Sequence, residues 1–96
     1  MSEWKFISNH GAVLAYLAKH PRALAVDIAE ALNVRERTVR RIIADLDAEG
    51  YIEKRRVGRS NRYKVKLRAP LRRSIMRKGK VGDLMEALVP LLEMQE

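Results

Sequence analysis

Between residues 27 and 42 the sequence runs DIAEALNVRERTVRRI, two short helical patterns separated by a corner of about one turn. Ile28, Ala29 and Leu32 recur at helical spacing. Val39, Ile42, Ile43 and Leu46 then recur at the three- and four-residue intervals of a buried stripe. Two helices crossing at a steep angle need a small residue at the crossing, and Ala29 supplies it. The corner needs a residue that tolerates positive φ, and Asn33 is the best choice after glycine. Val34 follows as the plug between the helices. The spacing predicts helices over 25–32 and 36–49, the second closed by Gly50 as a left-handed stop.

The flanking sequence extends this corner into a domain. Trp4, Phe6 and Ile7 form an apolar lead-in, Ser8 or Asn9 can cap a helix, and Val13, Leu14 and Leu17 give that helix one apolar face as far as Lys19. Pro21 follows its end. After Gly50, Tyr63, Val65 and Leu67 alternate with Arg62, Lys64 and Lys66, the period of a half-buried strand. Residues 52–56 are its expected partner, with Val57-Gly58-Arg59-Ser60-Asn61 as the turn. The expected fold class is α+β, mainly helical: a winged helix-turn-helix with a three-helix core, a β-hairpin wing and an extra C-terminal helix. The expected organisation is a domain over 1–68, a basic linker over 69–80 and a C-terminal helix over 81–96, capped by Gly82 or Asp83 and kinked or divided at Pro90.

A chain of 96 residues forms one domain and has little room for a separate ligand-binding domain. It has no cysteine, which excludes disulfides, zinc–thiolate clusters and thiol redox switches. No stretch approaches the length of an apolar membrane span. The opening MSEWKFISNH lacks the basic-then-apolar layout of a secretory signal, so a cytoplasmic location is expected.

Charge placement says more than the net +8. Residues 1–34 are balanced, residues 35–80 carry seventeen basic and five acidic groups, and residues 81–96 carry four acidic groups and no basic ones. A basic middle beside an acidic tail points to a polyanion-binding surface and a segment with a separate task.

Within the basic region, the helix over 36–49 turns Arg37, Arg41 and Ala44 away from its apolar face, with Thr38 and Arg40 on the flanks. Arg37 and Arg41 are the candidates for base contacts, since arginine can donate two hydrogen bonds to guanine O6 and N7. Ala44 is small enough to let the helix approach a groove. Glu36 can accept from a cytosine amine or pair with Arg40 four residues on. Arg35 occupies the cap position, where it cannot accept from free N–H groups and is available to a phosphate. Arg56, Arg59, Ser60, Asn61, Arg62 and Lys64 give the hairpin a second set of candidates for phosphates or the minor groove. The alternative is a hairpin edge protected by charge against aggregation.

His10 and His20 stand ten residues apart at helix ends, without clustered carboxylates, so neither a metal site nor a cofactor is expected. No nucleophile, carboxylate pair or phosphate loop has a catalytic partner nearby, and no enzymatic activity is expected.

The segments WKFISNHGAVLAYLAKHP, DIAEALNVRERTVRRIIADLDAEGYIEKRRVGRSNRYKV, PLR and VGDLMEAL together resemble small prokaryotic winged-helix transcriptional regulators of the MarR/ArsR-like type. The resemblance spans nearly the whole chain, and ERTVRRIIADLDAEGYIEKRRVGRSNRY is its specific part. It implies that the helix around Arg37 to Arg41 reads double-stranded DNA, that Arg59 to Arg62 form the wing, and that the protein acts as a homodimer on palindromic sites. Two departures from such regulators stand out. The cysteines of metal-sensing relatives are absent, and so are the flanking helices from which larger relatives build a dimer and an effector pocket.

The C-terminal stripe has two expected uses: packing on its own domain, or forming a two-fold interface with helix 1 and the lead-in of a second subunit. The dimer reading assigns Trp4, Phe6, Leu84, Met85, Leu88 and Leu92 to that interface. The expected function is a sequence-specific DNA-binding regulator, simplest as a repressor that occludes polymerase, with no effector identified. The competing readings are a sequence-tolerant architectural nucleic-acid binder and a winged helix that docks an acidic protein surface.

Overall fold

The computed structural model of the protein describes residues 5–93. Three helices, α1 (Asn9–Lys19), α2 (Ala25–Leu32) and α3 (Glu36–Ala48), lead into an antiparallel hairpin of β1 (Ile52–Val57) and β2 (Ser60–Val65). A final helix, α4 (Val81–Leu88), runs into a 3-10 turn over Val89–Leu91.

The first two helices begin for local reasons. The Ser8 hydroxyl accepts from the Gly11 N–H at 3.2 Å and caps α1. Leu24, before α2, has no side-chain acceptor; the Asp27 carboxylate reaches back instead to its N–H at 3.4 Å. The corner between α2 and α3 forms as expected. Asn33 adopts φ 56° and ψ 48°. The Val34 N–H then closes onto the Ala29 carbonyl at 3.0 Å. At the far end of α3, Gly50 takes φ 81°, and the Tyr51 N–H returns to the Leu46 carbonyl at 2.9 Å.

One core serves all the elements. Leu17 of α1, Ile28 of α2, Ile42 of α3, Ile52 of β1 and Val81 of α4 are all essentially inaccessible. Burying a side chain of this size stabilises the fold by about 1.5–3 kcal/mol, so the core, rather than helix propensity, sets the angles between helices.

The hairpin differs from the sequence reading in its turn. Val57 pairs with Ser60, leaving a loop of only Gly58 and Arg59, where a five-residue turn was expected. Gly58 at φ 62° supplies the positive φ needed at the first loop position, which lets strands of right-handed twist close so tightly. The second strand therefore starts at Ser60 and ends at Val65, short of Leu67. Leu67 is exposed, and its carbonyl accepts instead from the Gly82 N–H at 2.7 Å, fixing the start of α4. The outer edge of β2 is partly covered: the Tyr63 N–H donates to the Pro21 carbonyl at 2.8 Å.

Residues 69–80, read as a linker, form a closed loop. Pro70 and Lys80 pair as an isolated bridge, the Val81 N–H reaches the Ala69 carbonyl at 2.8 Å, and Ser74–Met76 make a 3-10 turn inside. The cap of α4 lies two residues before Gly82 and three before Asp83, the expected caps. Lys80 is the cap residue, and Asp83 accepts from the Lys80 N–H at 2.9 Å. The α-helix ends at Leu88, so Pro90 divides the segment, as its missing N–H dictates.

α4 packs on its own domain. Met85, assigned from sequence to a two-fold interface, is 3% exposed and lies in the protomer's core, leaving no side-chain surface for a partner. Leu88 and Leu92, assigned likewise, are half-buried against the same core. Leu84 keeps an outward position, as does Leu91, which the sequence reading passed over. Phe6 is exposed, and Trp4 lies outside the described residues.

Candidate nucleic-acid interface

α3 is electrostatically divided along its length. Its first half exposes Arg37, Arg40 and Arg41, and Arg35 precedes it; its second half carries Asp45 and Asp47, with Glu49 at the cap. Only the first half can approach a phosphate-lined groove without repulsion. Val39, Ile42, Ile43 and Leu46 are buried, which turns Arg37, Arg41 and Ala44 outward as their spacing predicts. Thr38 is half-buried on the flank.

Glu36 resolves between its two sequence readings within the protein alone. Its carboxylate accepts from Arg40 Nε at 2.8 Å and also from the same guanidinium's terminal nitrogen, an i,i+4 pair on the first turn. Arg40 is thus occupied in the free protein, whereas Arg37 and Arg41 have no carboxylate partner among the described residues. Arg35 makes no side-chain capping bond and is exposed at the corner.

The acidic half is the less favourable end for carboxylates, because the negative pole of the helix lies there. Two of the three carboxylates carry partners brought from elsewhere in the chain. Asp45 bonds His10 Nε2 of α1 at 2.9 Å, and Glu49 bonds Arg72 of the loop 69–80 at 2.6 Å. Arg72 also donates to the Glu49 carbonyl, capping α3 from 23 residues away, and its guanidinium lies 4.9 Å from the centre of the Tyr51 ring.

The hairpin does not gather its candidates on one side. Arg56 pairs with Asn61 on the face that Ile52 turns to the core, while Ser60, Arg62 and Lys64 lie on the opposite face; Arg59 sits at the tip. Arg55 faces Arg62 directly across the strands, a like-charge pair that weakens the hairpin. Arg55 leans to Glu53 at 3.4 Å, and Lys64 stands opposite that same glutamate. Arg62 is half-buried where β2 meets the end of α1, in an open cleft of about 1040 Å³ shared with Tyr16, His20 and Arg22.

The sequence reading missed Arg72 and the cations around it. The signal was present as six basic residues without a carboxylate over 68–80, but a charge run gives no hint that the segment closes into a loop against α3. Among the described residues no group of histidines and carboxylates is arranged to hold a metal ion, and no helix is long and apolar enough to cross a membrane.

Residues 7–62, from just before α1 to the middle of β2, match the family model described as the MarR family. No curated protein matches the chain at a significant level.

Proposed function

The chain belongs to the MarR family, and on that footing we propose that it represses transcription as a homodimer on a palindromic operator. Membership makes it a winged-helix, DNA-binding transcription regulator rather than an enzyme. The finer reading rests on α3. The observation that carries it is the pair Arg37 and Arg41, both exposed, both without a carboxylate partner among the described residues, and one turn apart on a face whose next residue is Ala44.

In this reading the first half of α3 enters the major groove and Arg37 and Arg41 donate to guanine edges. Ala44 permits the close approach and Thr38 lies along the groove wall. Glu36 and Arg40 keep their pair, with Arg40's remaining N–H groups on a phosphate. Arg35 and the wing residues Arg56, Arg59, Ser60, Asn61, Arg62 and Lys64 divide the flanking backbone between them, with Arg59 closest to the minor groove. The acidic half of α3 points out of the groove.

A two-fold dimer sets its recognition helices about 34–36 Å apart, one turn of duplex. Phe6, Leu84 and Leu91, all exposed, are the apolar side chains proposed to meet at the axis. Repression by occupying the operator needs no contact beyond the DNA face and the dimer axis. The same reading puts the protein in the cytoplasm, together with the DNA that it is proposed to bind.

Selection of bound duplexes from a random pool tests this, run with the natural chain and with Arg37→Ala combined with Arg41→Ala. The expected result is a palindromic motif whose half-sites lie one helical turn apart, absent with the double variant. Tight binding without an enriched motif would replace this reading with that of an architectural binder.

A further inference from the structure

We propose that the loop 69–80 is a third DNA-contacting element, which grips the phosphate backbone at the edge of the groove that α3 occupies. The inference rests on the DNA-binding reading of α3 and extends the contact surface beyond residues 7–62, the part that matches the family model.

Four observations carry it. First, Arg68, Arg72, Arg73, Arg77, Lys78 and Lys80 fall within thirteen residues that hold no carboxylate. Arg72 is engaged with Glu49; Arg68, Arg73, Arg77, Lys78 and Lys80 are exposed and have no carboxylate partner among the described residues. Second, the loop is built to keep a shape. Its ends are joined by the Pro70–Lys80 bridge and by the Leu71 N–H to the Gly79 carbonyl at 3.3 Å. Its interior is close enough that a Cβ on Gly79 would stand 2.9 Å from Leu71 Cδ1 and 3.2 Å from the Met76 carbonyl. Closing a loop brings its like charges together, a cost that a polyanion removes on binding.

Third, the loop is latched to the recognition helix itself. Arg72 holds the Glu49 carboxylate and carbonyl and stacks on Tyr51, so the loop's base sits at the C-terminal end of α3. From Arg41 to Glu49 is eight residues, about 12 Å of helix, and the major groove is about 12 Å wide. With the acidic half of α3 leaving the groove, that length carries the loop's base to the groove's rim, where the loop's cations rather than the helix's carboxylates meet the phosphates. Fourth, Ile75 is 88% exposed between Arg73 and Arg77. An apolar side chain flanked by cations can cover a sugar ring while the cations hold the phosphates on either side.

The test compares the full chain with the combined variant Arg73→Ala, Arg77→Ala, Lys78→Ala, measuring affinity for the selected site and for random duplex across a salt series. Each phosphate contact contributes about 0.9 to the slope of log affinity against log salt. The variant's slope is expected to be shallower by roughly 2–3, with equal losses on both duplexes because phosphates carry no sequence information. Hydroxyl-radical protection should shrink at the outer edges of the footprint. Arg73→Lys with Arg77→Lys, which keeps the charge, should preserve the slope.

An unchanged slope in the alanine variant, while Arg41→Ala still weakens the selected site, overturns the loop proposal and leaves the reading of α3 intact. If neither variant alters DNA binding, the reading of α3 falls and takes the loop with it. Anionic phosphatidylserine vesicles complete the comparison: loss of vesicle binding with DNA binding unchanged would reassign the loop to a membrane surface. Far-UV circular dichroism verifies that the variants, all at exposed positions, retain the fold.

Discussion

Arg72 lies in a conformation that ordinary residues avoid, φ 62°, yet it is an arginine. The left-handed region costs a residue with a Cβ roughly 1–2 kcal/mol relative to the right-handed one. Such a cost persists only when the surroundings over-determine the position, and three contacts of its guanidinium do so here. The Glu49 ion pair is partly exposed, with 46% of the Arg72 side chain and 63% of the Glu49 side chain accessible. Solvent screening therefore holds its share to the lower part of the roughly 0.2–1 kcal/mol measured for such pairs. The bond to the α3 terminus adds about 0.3–1 kcal/mol, and the stacking on Tyr51 about 0.5–1 kcal/mol.

Arg72→Ala removes all three contacts and keeps the strain, so it should cost about 1–2 kcal/mol. For a domain of this size that lowers the thermal midpoint by roughly 4–16 °C. Arg72→Gly removes the same contacts but releases the strain. Part of that gain is offset by the greater freedom of glycine in the unfolded chain, about 0.4–1 kcal/mol. Glycine should therefore be more stable than alanine at this position by about 0.5–1 kcal/mol. Urea unfolding of the three proteins, followed by far-UV circular dichroism at constant slope, measures both differences. An alanine variant as stable as the natural chain would show that the latch contributes nothing. A glycine variant less stable than alanine would refute the claim of strain.

Three further outcomes follow from the same geometry. Leu17→Ala, at a position with no accessible surface, should cost about 2–5 kcal/mol and displace the urea midpoint more than any exposed substitution. Glu36→Gln removes a negative charge from the proposed groove face and weakens the pair that occupies Arg40. Titrations at fixed salt should show tighter binding to random duplex by a few-fold, with the salt slope little changed because Arg40 holds its phosphate in both proteins. Gly82→Ala would place a Cβ 3.0 Å from the Leu67 carbonyl and 3.3 Å from Leu67 Cβ, against backbone that cannot easily yield. It should cost about 1–3 kcal/mol and raise amide exchange in α4, while the hairpin ladder stays protected.

What could be read from the sequence was whatever a local rule decides. The α2–α3 corner needed only Ala29, Asn33 and Val34 in the right order, and the outward face of α3 followed from the period of its buried stripe. The hairpin turn was legible in kind but not in length. A glycine in a five-residue polar stretch permits several loops, and the Ile52–Val65 pairing at the other end, where the side chains enter the core, selects the register. The C-terminal stripe was ambiguous for a deeper reason. Val81, Leu84, Met85 and Leu88 have the same spacing whether the covering surface belongs to the same chain or to another. Only the docking of α4, fixed by Gly82 on Leu67 and Val81 on Ala69, determines that Met85 goes inward and Leu84 stays out. The Arg72 latch was less visible still, since nothing in an arginine's neighbours announces a positive φ or a carboxylate 23 residues away. It is that latch which turns a run of charge into a placed surface: without it the cations of 69–80 are a diffuse field, and with it they stand at a known end of the helix proposed to read DNA.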